Sequence, residues 1–320
     1  MKFNGLDVVQ CGYPSHEHSA RKIYTEFAWN IIDVCNFKCS YCGAGFGSDA
    51  SRPVSNFFKD VNLKKTWKGV IAKLNLANQG NEFEVDLVGG EPTLHPEIIQ
   101  VIKSLNDIET CKSIILITNL SKSMDFFHKL DDMLLDKLEI NCSVHFEYYI
   151  KNKTLDKILQ IYKNTNLKIE PVVLLADNPD YWKQVIDFLD TCIEHGIEYN
   201  CVFLEPAFGN EPNYSDDFFK TFENYIKHGR SKTGDMYRII TNDGKQHLIN
   251  IKDIYVNKIK NFKGWKCTPK SWSIDVKGSI TNACTGEPLQ FRGDNMNICV
   301  SCPRTRCSCN VWWNYDKKKC

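Results

Sequence analysis

No stretch of this chain is apolar for long enough to span a bilayer, and its first ten residues contain no apolar signal core. The expectation is a cytoplasmic protein with no membrane partner. Net charge is almost absent as well: 40 Lys and Arg against 39 Asp and Glu leave a formal +1. That balance removes any global pull toward nucleic acid or acidic lipid, although Lys317, Lys318 and Lys319 are locally basic. Internal repeats and low-complexity tracts are missing, which argues against a solenoid. Residues 1–25 carry no motif.

The composition that remains, 42% hydrophobic and 25% charged, is that of a soluble globular protein. A length of 320 residues suits one large domain, or one domain with a smaller appendage. In a reducing compartment the 15 cysteines are expected as thiols or metal ligands rather than disulfides. Three of them crowd one loop, Cys35, Cys39 and Cys42, and seven fall in the last 54 positions. Cys11, Cys111, Cys142, Cys192 and Cys201 stand singly and are expected as small buried apolar residues.

From residue 27 to about 230, short apolar runs alternate with longer segments of helical period. Strands are expected at Phe27–Val34, Phe83–Gly89, Ser113–Thr118, Leu138–Phe146, Lys168–Leu175 and Glu198–Leu204. Helices are expected near 63–79, 96–108, 124–135, 153–164, 181–195 and 216–229. Six strands each followed by a helix imply an α/β fold with a parallel sheet. Functional groups in such sheets gather at the C-terminal strand ends.

The loop after the first expected strand reads Cys35-Asn36-Phe37-Lys38-Cys39-Ser40-Tyr41-Cys42, followed by a glycine-rich segment, 43–47. Three thiols can wrap one face of a metal centre yet are one ligand short of a closed zinc site or four-iron cube. Half a zinc site is the plainer alternative. In its setting the loop resembles the signature of the radical S-adenosylmethionine (radical SAM) superfamily. The resemblance implies that the three cysteines hold a [4Fe-4S] cluster with an open iron site, which S-adenosylmethionine chelates. Tyr41 matches the aromatic position near the adenine.

Gly89-Gly90-Glu91-Pro92, after the second strand, resembles the family motif for the methionine end of the cofactor. Its glycines permit close backbone approach, and Glu91 can help hold the ammonium group. Thr118 and Asn119 end the third strand and could reach ribose or substrate, while Asn-Leu-Ser is also an ordinary way to start a helix. In the fourth strand, alternation sets Ser143, His145 and Glu147 on one face and Cys142, Val144 and Phe146 on the other. Family analogy puts sugar and sulfonium contacts near Ser143. His145 reads as a substrate ligand, a proton donor or acceptor, or a satisfied core histidine. Glu147 and Glu205 complete the candidate substrate contacts, a surface carboxylate being the plainer reading of Glu205.

After Gly229 the character changes. Apolar runs flank Asn242-Asp243-Gly244, a hairpin signal, and a short helix is expected at about 252–260. A second hairpin is expected to turn at Lys277-Gly278, with cysteines on both sides. The series Cys267, Cys284, Cys299, Cys302, Cys307, Cys309 and Cys320 resembles the SPASM extension of radical SAM enzymes, which carries two auxiliary [4Fe-4S] clusters. By position, Cys267, Cys284 and Cys309 would serve the nearer cluster, and Cys299, Cys302, Cys307 and Cys320 the outer one. Gly278 and Cys284 lie further apart than usual in that family, and Cys307 and Cys309 closer together. No cysteine just upstream of Cys267 supplies a fourth ligand for the nearer cluster, so one auxiliary cluster, as in the Twitch variant, is the alternative to two. Structural zinc is the alternative to both.

Together these imply a partial (β/α)6 TIM-like barrel at 27–230, an N-terminal extension at 1–26 and a Cys-rich β-hairpin auxiliary-cluster domain at 231–320. The implied chemistry is reductive cleavage of S-adenosylmethionine to a 5′-deoxyadenosyl radical that takes a hydrogen atom from a substrate carbon. The substrate is expected to be a small molecule, such as a sugar or nucleotide conjugate, or a peptide, with a flavodoxin- or ferredoxin-type electron donor. The outcome would be oxidation, epimerisation or rearrangement. Peptide maturation of the SPASM type is one alternative, and a glycyl-radical activase or a methyl transferase are others. From another class comes a zinc-stabilised nucleic-acid-binding or structural protein, which the near-neutral charge disfavours.

Overall fold

The structure, a computed structural model, describes residues 1–12, 24–42, 60–77, 81–204, 214–229, 237–249, 251–257, 259, 261–268, 271–289, 299–302 and 317–319. In chain order the elements are strands β1 (Lys2–Phe3), β2 (Leu6–Gly12) and β3 (Thr25–Ile32), helix α1 (Val61–Ala77), β4 (Phe83–Gly89), a single 3-10 turn (Pro92–Leu94), α2 (Ile98–Asn106), β5 (Cys111–Thr118), α3 (Met124–Asp131) and β6 (Leu138–Val144). Then come α4 (Tyr149–Asn152), α5 (Thr154–Asn164), β7 (Lys168–Leu175), α6 (Pro179–Glu194), β8 (Asn200–Phe203), α7 (Asp216–His228), β9 (Tyr237–Thr241), β10 (Gln246–Ile249), α8 (Ile251–Val256), β11 (Lys266–Cys267), β12 (Ser271–Ile274), β13 (Ile280–Asn282), β14 (Val300–Ser301) and β15 (Lys317–Lys318).

The chain forms two compact units. One comprises Trp29–Arg230 with Ile274–Gly278, the other Met1–Ala28, Ser231–Ser273 and Ser279–Cys320.

The larger unit is the partial (β/α)6 barrel. Its strands lie in the sequential order β3-β4-β5-β6-β7-β8, and every pairing from β4 to β8 is parallel. The centre of β5 is covered on both faces and reads as an unbroken apolar run, whereas β4 and β6 alternate buried and half-buried positions. In β5, Ile114 and Leu116 are fully buried and Ile115 nearly so. The covering helices start and stop where their sequences dictate. Asn178 caps α6, its side chain accepting from Asp180 N, with Pro179 in the first turn. Ser215 caps α7 by accepting from Phe218 N at 3.1 Å. Each apolar stripe, such as Val185, Phe188, Leu189 and Cys192 on α6, faces the core.

The smaller unit is mostly antiparallel. Six strands run in the order β10-β9-β2-β15-β11-β14, with β1 attached to β2. The β9–β10 hairpin turns at Asn242-Asp243-Gly244 as expected, Gly244 taking φ +80. The N-terminal residues form no separate extension. Strand β2 sits inside this sheet, between β9 and β15, with Val8 and Cys11 buried. A bulge between Val8 and Gln10 shifts the register, so the alternation that would mark the strand is broken. Among the described residues no helix is long and apolar enough to cross a membrane.

Candidate active site

The barrel's C-terminal strand ends surround a cavity of about 310 Å³. Cys35, Cys39, Tyr41 and Cys42 line it from the loop after β3, Gly89, Gly90 and Glu91 from the end of β4, Thr118 and Asn119 from β5, and Ser143 and His145 from β6. Phe37, Val88, Ile117, Leu174 and Leu204 supply apolar wall. The site residues expected on the barrel thus converge, except that Pro92 is buried in the 3-10 turn and Glu147 does not line the cavity. Glu205 and segment 43–47 lie outside the described residues, as do Cys307, Cys309 and Cys320.

Two glycines let β4 meet the cysteine loop. Gly90 N donates to Ile32 O and Glu91 N to Val34 O, both at 2.8 Å. A Cβ on Gly89 would stand 2.2 Å from Ile32 O, and one on Gly90 2.1 Å from Val34 O and 2.8 Å from Cys35 N. No side chain fits between these backbones.

Glu91 is 1% exposed and accepts four hydrogen bonds. Oε1 takes Thr93 N at 3.1 Å, Thr93 Oγ1 at 2.6 Å and Thr118 Oγ1 at 2.7 Å, while Oε2 takes Asn119 N at 2.7 Å. Burial raises its pKa, and these four donors oppose the shift. Asn119 carries the linkage on to the cysteines, its Nδ2 donating to Asn36 Oδ1 at 3.1 Å and lying 3.9 Å from Cys35 Sγ.

From the other side, the segment after β6 grips the loop. Ser40 donates to Glu147 through both its amide (2.9 Å) and its hydroxyl, and Lys38 N donates to Tyr148 Oη at 2.8 Å. Phe37 stacks on Tyr148 with ring centroids 4.2 Å apart. His145 Nδ1 lies 2.9 Å from Tyr41 Oη and 3.4 Å from Cys39 Sγ. Burial lowers the His145 pKa to about 4, against the pull of Glu147, so the ring is neutral near pH 7. Ser40 and Tyr148 were not anticipated. The Cys-Ser-Tyr-Cys run contained Ser40 but gave no sign of its partner.

Burial raises Cys35, and pushes Cys39 up to about 12 with help from the negative charges of Glu147 and Cys35. Thiols in such a place are poor free nucleophiles, and a bound cation is what would hold them as thiolates. Among the described residues no three His, Cys, Asp or Glu side chains converge on a point fit for a single metal ion. Cys35, Cys39 and Cys42 instead border one cavity, a donor set that fits a multi-iron group held on three corners. In the smaller unit Cys267, Cys284 and Cys302 are buried and Cys299 is exposed.

Comparison with known proteins agrees with this geometry. The family model described as the radical SAM superfamily matches residues 29–204. Two curated relatives are the molybdenum cofactor biosynthesis protein moc-5 of Caenorhabditis elegans, 24% identical over 233 residues, and the GTP 3′,8-cyclase of Clostridium perfringens (strain 13 / Type A), 24% identical over 244 residues. The matches cover 70% and 73% of this chain, but 37% of the nematode protein and 69% of the clostridial one. The solved structure of histidine-tagged anSMEcpe with bound AdoMet superposes with a TM-score of 0.51 at 14% identity, covering 88% of this chain and 76% of that one, which is a likeness of fold.

Proposed function

Since this chain belongs to the radical SAM superfamily, and is therefore an enzyme that works with a [4Fe-4S] cluster and S-adenosylmethionine, we propose that it acts on a small molecule bearing a nucleotide or sugar group. The observation that carries the reading is that one cavity is bordered both by Cys35, Cys39 and Cys42 and by the ends of strands β4 to β8. When bound, the cluster supplies the electron that cleaves S-adenosylmethionine to methionine and a 5′-deoxyadenosyl radical, which takes a hydrogen atom from a substrate carbon.

In this reading Cys35, Cys39 and Cys42 would hold the cluster and leave it an open site for S-adenosylmethionine. Gly89 and Gly90 offer bare backbone to the methionine end, and Glu91 fixes that turn and favours the ammonium group. Thr118, Asn119 and Ser143 present small polar groups to ribose. Tyr41 and the apolar wall of Phe37, Leu174 and Leu204 exclude water around the reacting carbon. His145, held neutral, is available to substrate as a hydrogen-bond partner. One or two auxiliary clusters on the C-terminal cysteines would carry electrons or ligate substrate, the reducing electron coming from a flavodoxin- or ferredoxin-type donor.

The relatives support a nucleotide-type substrate, since by its name the clostridial enzyme acts on GTP. The test is 5′-deoxyadenosine formation by anaerobically reconstituted protein given S-adenosylmethionine and reductant. GTP and the low-mass fraction of a cell extract are supplied in parallel with the peptide fraction. Stimulation by GTP or the low-mass fraction is expected. Stimulation confined to the peptide fraction would replace this reading with peptide maturation.

A further inference from the structure

Strand β6 ends at Val144, and the backbone turns back there, Tyr148 N donating to His145 O at 2.9 Å. The turn places the His145 ring at the cavity, beside the cysteine loop. Aromatic neighbours hold its orientation. The Phe37 ring meets it edge-on at 83°, with centroids 5.8 Å apart, and Phe37 is itself stacked on Tyr148. The Tyr41 ring lies nearly parallel to it, at 15° and 6.0 Å. Held in this way, Nδ1 faces two atoms at once, Tyr41 Oη at 2.9 Å and Cys39 Sγ at 3.4 Å. The Tyr41 hydroxyl also hydrogen-bonds Cys39, which opposes the burial that raises that thiol.

We propose that His145 is a positioning residue for the iron-sulfur cluster: its Nδ1–H and the Tyr41 hydroxyl donate to the Cys39 thiolate and set the potential at which the cluster accepts its electron. The inference rests on Cys39 being a ligand of the cluster that opens S-adenosylmethionine. A ligand thiolate has lost its proton and can only accept hydrogen bonds, so the ring nitrogen that faces it must be the one carrying a proton. Nδ1 is therefore the N–H. Shared between Cys39 Sγ and Tyr41 Oη, it leaves the phenolic proton free to serve the same sulfur, and Nε2 remains for the substrate contact.

Hydrogen bonds to the sulfurs are among the levers that set a cluster's reduction potential. A donor stabilises the more negative, reduced state, so each one raises the potential. Glu147 works in the opposite sense. Its carboxylate, fastened to Ser40 in the same loop, sets negative charge near Cys39 and disfavours reduction. Cys35 is differently placed, with the Phe37 amide donating to it at 3.4 Å and the Asn119 side-chain amide 3.9 Å away. Cys39 is thus where two side-chain donors and one carboxylate contend. A histidine that only filled space could be exchanged for leucine with no change in potential.

The test is an EPR-monitored redox titration of the full chain, reconstituted anaerobically. It follows the signal that changes when S-adenosylmethionine is added, which separates this cluster from any auxiliary one. His145→Leu should shift the midpoint potential negative. His145→Asn, whose amide sets a donor close to the place of Nδ1, should return most of that shift, and Tyr41→Phe should move in the same direction as His145→Leu. Glu147→Gln removes a charge, keeps an acceptor for the Ser40 amide and should shift the potential positive. A native or more positive potential in His145→Leu, at native iron and sulfide content, would overturn the proposal. Should His145→Leu fail to hold its cluster, Tyr41→Phe and Glu147→Gln decide: opposite shifts support the assignment, and shifts of one sign, or none, overturn it. A native chain with no signal that responds to S-adenosylmethionine would overturn the reading of Cys35, Cys39 and Cys42 itself, and this proposal with it.

Discussion

Glu91 shows how much work one carboxylate can perform in a turn. Its four donors come from Thr93, Thr118 and Asn119, so a single buried group fixes the end of β4 against the end of β5 and, through Asn119, against the cysteine loop. Glu91→Gln removes one acceptor oxygen and leaves buried donors unmet, at a cost of about 1–3 kcal/mol. Anaerobic denaturant titration should show that loss, together with weaker S-adenosylmethionine binding. Gly90→Ala is expected to be worse for activity, because its methyl meets backbone on every near contact and the loop must move. A displacement of that kind should lower deoxyadenosine formation by roughly a hundredfold, measured at saturating S-adenosylmethionine. The sequence marked both residues through the resemblance of Gly89-Gly90-Glu91-Pro92 to the family's motif and its place at a strand end. It could not reveal that two of Glu91's donors, Thr118 and Asn119, come from the end of the next strand.

The loop that carries Cys35, Cys39 and Cys42 has little regular structure of its own and is held from two sides, by β4 and by the segment after β6. Removing one grip should loosen the metal without unfolding the barrel. Glu147→Ala deletes both hydrogen bonds from Ser40, and iron should leave for a chelator about tenfold faster, which corresponds to ~1.4 kcal/mol. The check is absorbance decay under anaerobic chelation; a wild-type rate would show that the grip is unimportant. Alternation along β6 was legible, and Ser143 and His145 do line the cavity. It fails as a guide at Glu147, because the strand ends at Val144 and Tyr148 N turns back to His145 O at 2.9 Å. Past that point a period of two no longer tells where a side chain goes.

At the level of the whole molecule, the barrel was readable because its parallel strands are short segments of buried apolar positions, continuous in β5 and alternating in β4 and β6, each followed by a helix of clear period. Of the smaller unit, the β9–β10 hairpin and the short helix after it were, and the rest of its sheet was not, since β11, β14 and β15 are two residues each and β2 meets β9 more than 200 positions away. No local pattern encodes such pairings. Residues 1–12 consequently look dispensable in the sequence, yet β2 is an inner strand of the sheet, with Val8 and Cys11 buried. A chain lacking residues 1–12 leaves β9 and β15 without a shared partner, and residues 237–302 should then be cut readily in limited proteolysis while the intact chain resists. The central claim is that Cys35, Cys39 and Cys42 hold the cluster that opens S-adenosylmethionine. It is tested most directly by measuring 5′-deoxyadenosine from anaerobically reconstituted, reduced protein beside its Cys39→Ala variant. The account predicts product from the native chain and only background from the variant; equal yields, or none from either, would contradict it.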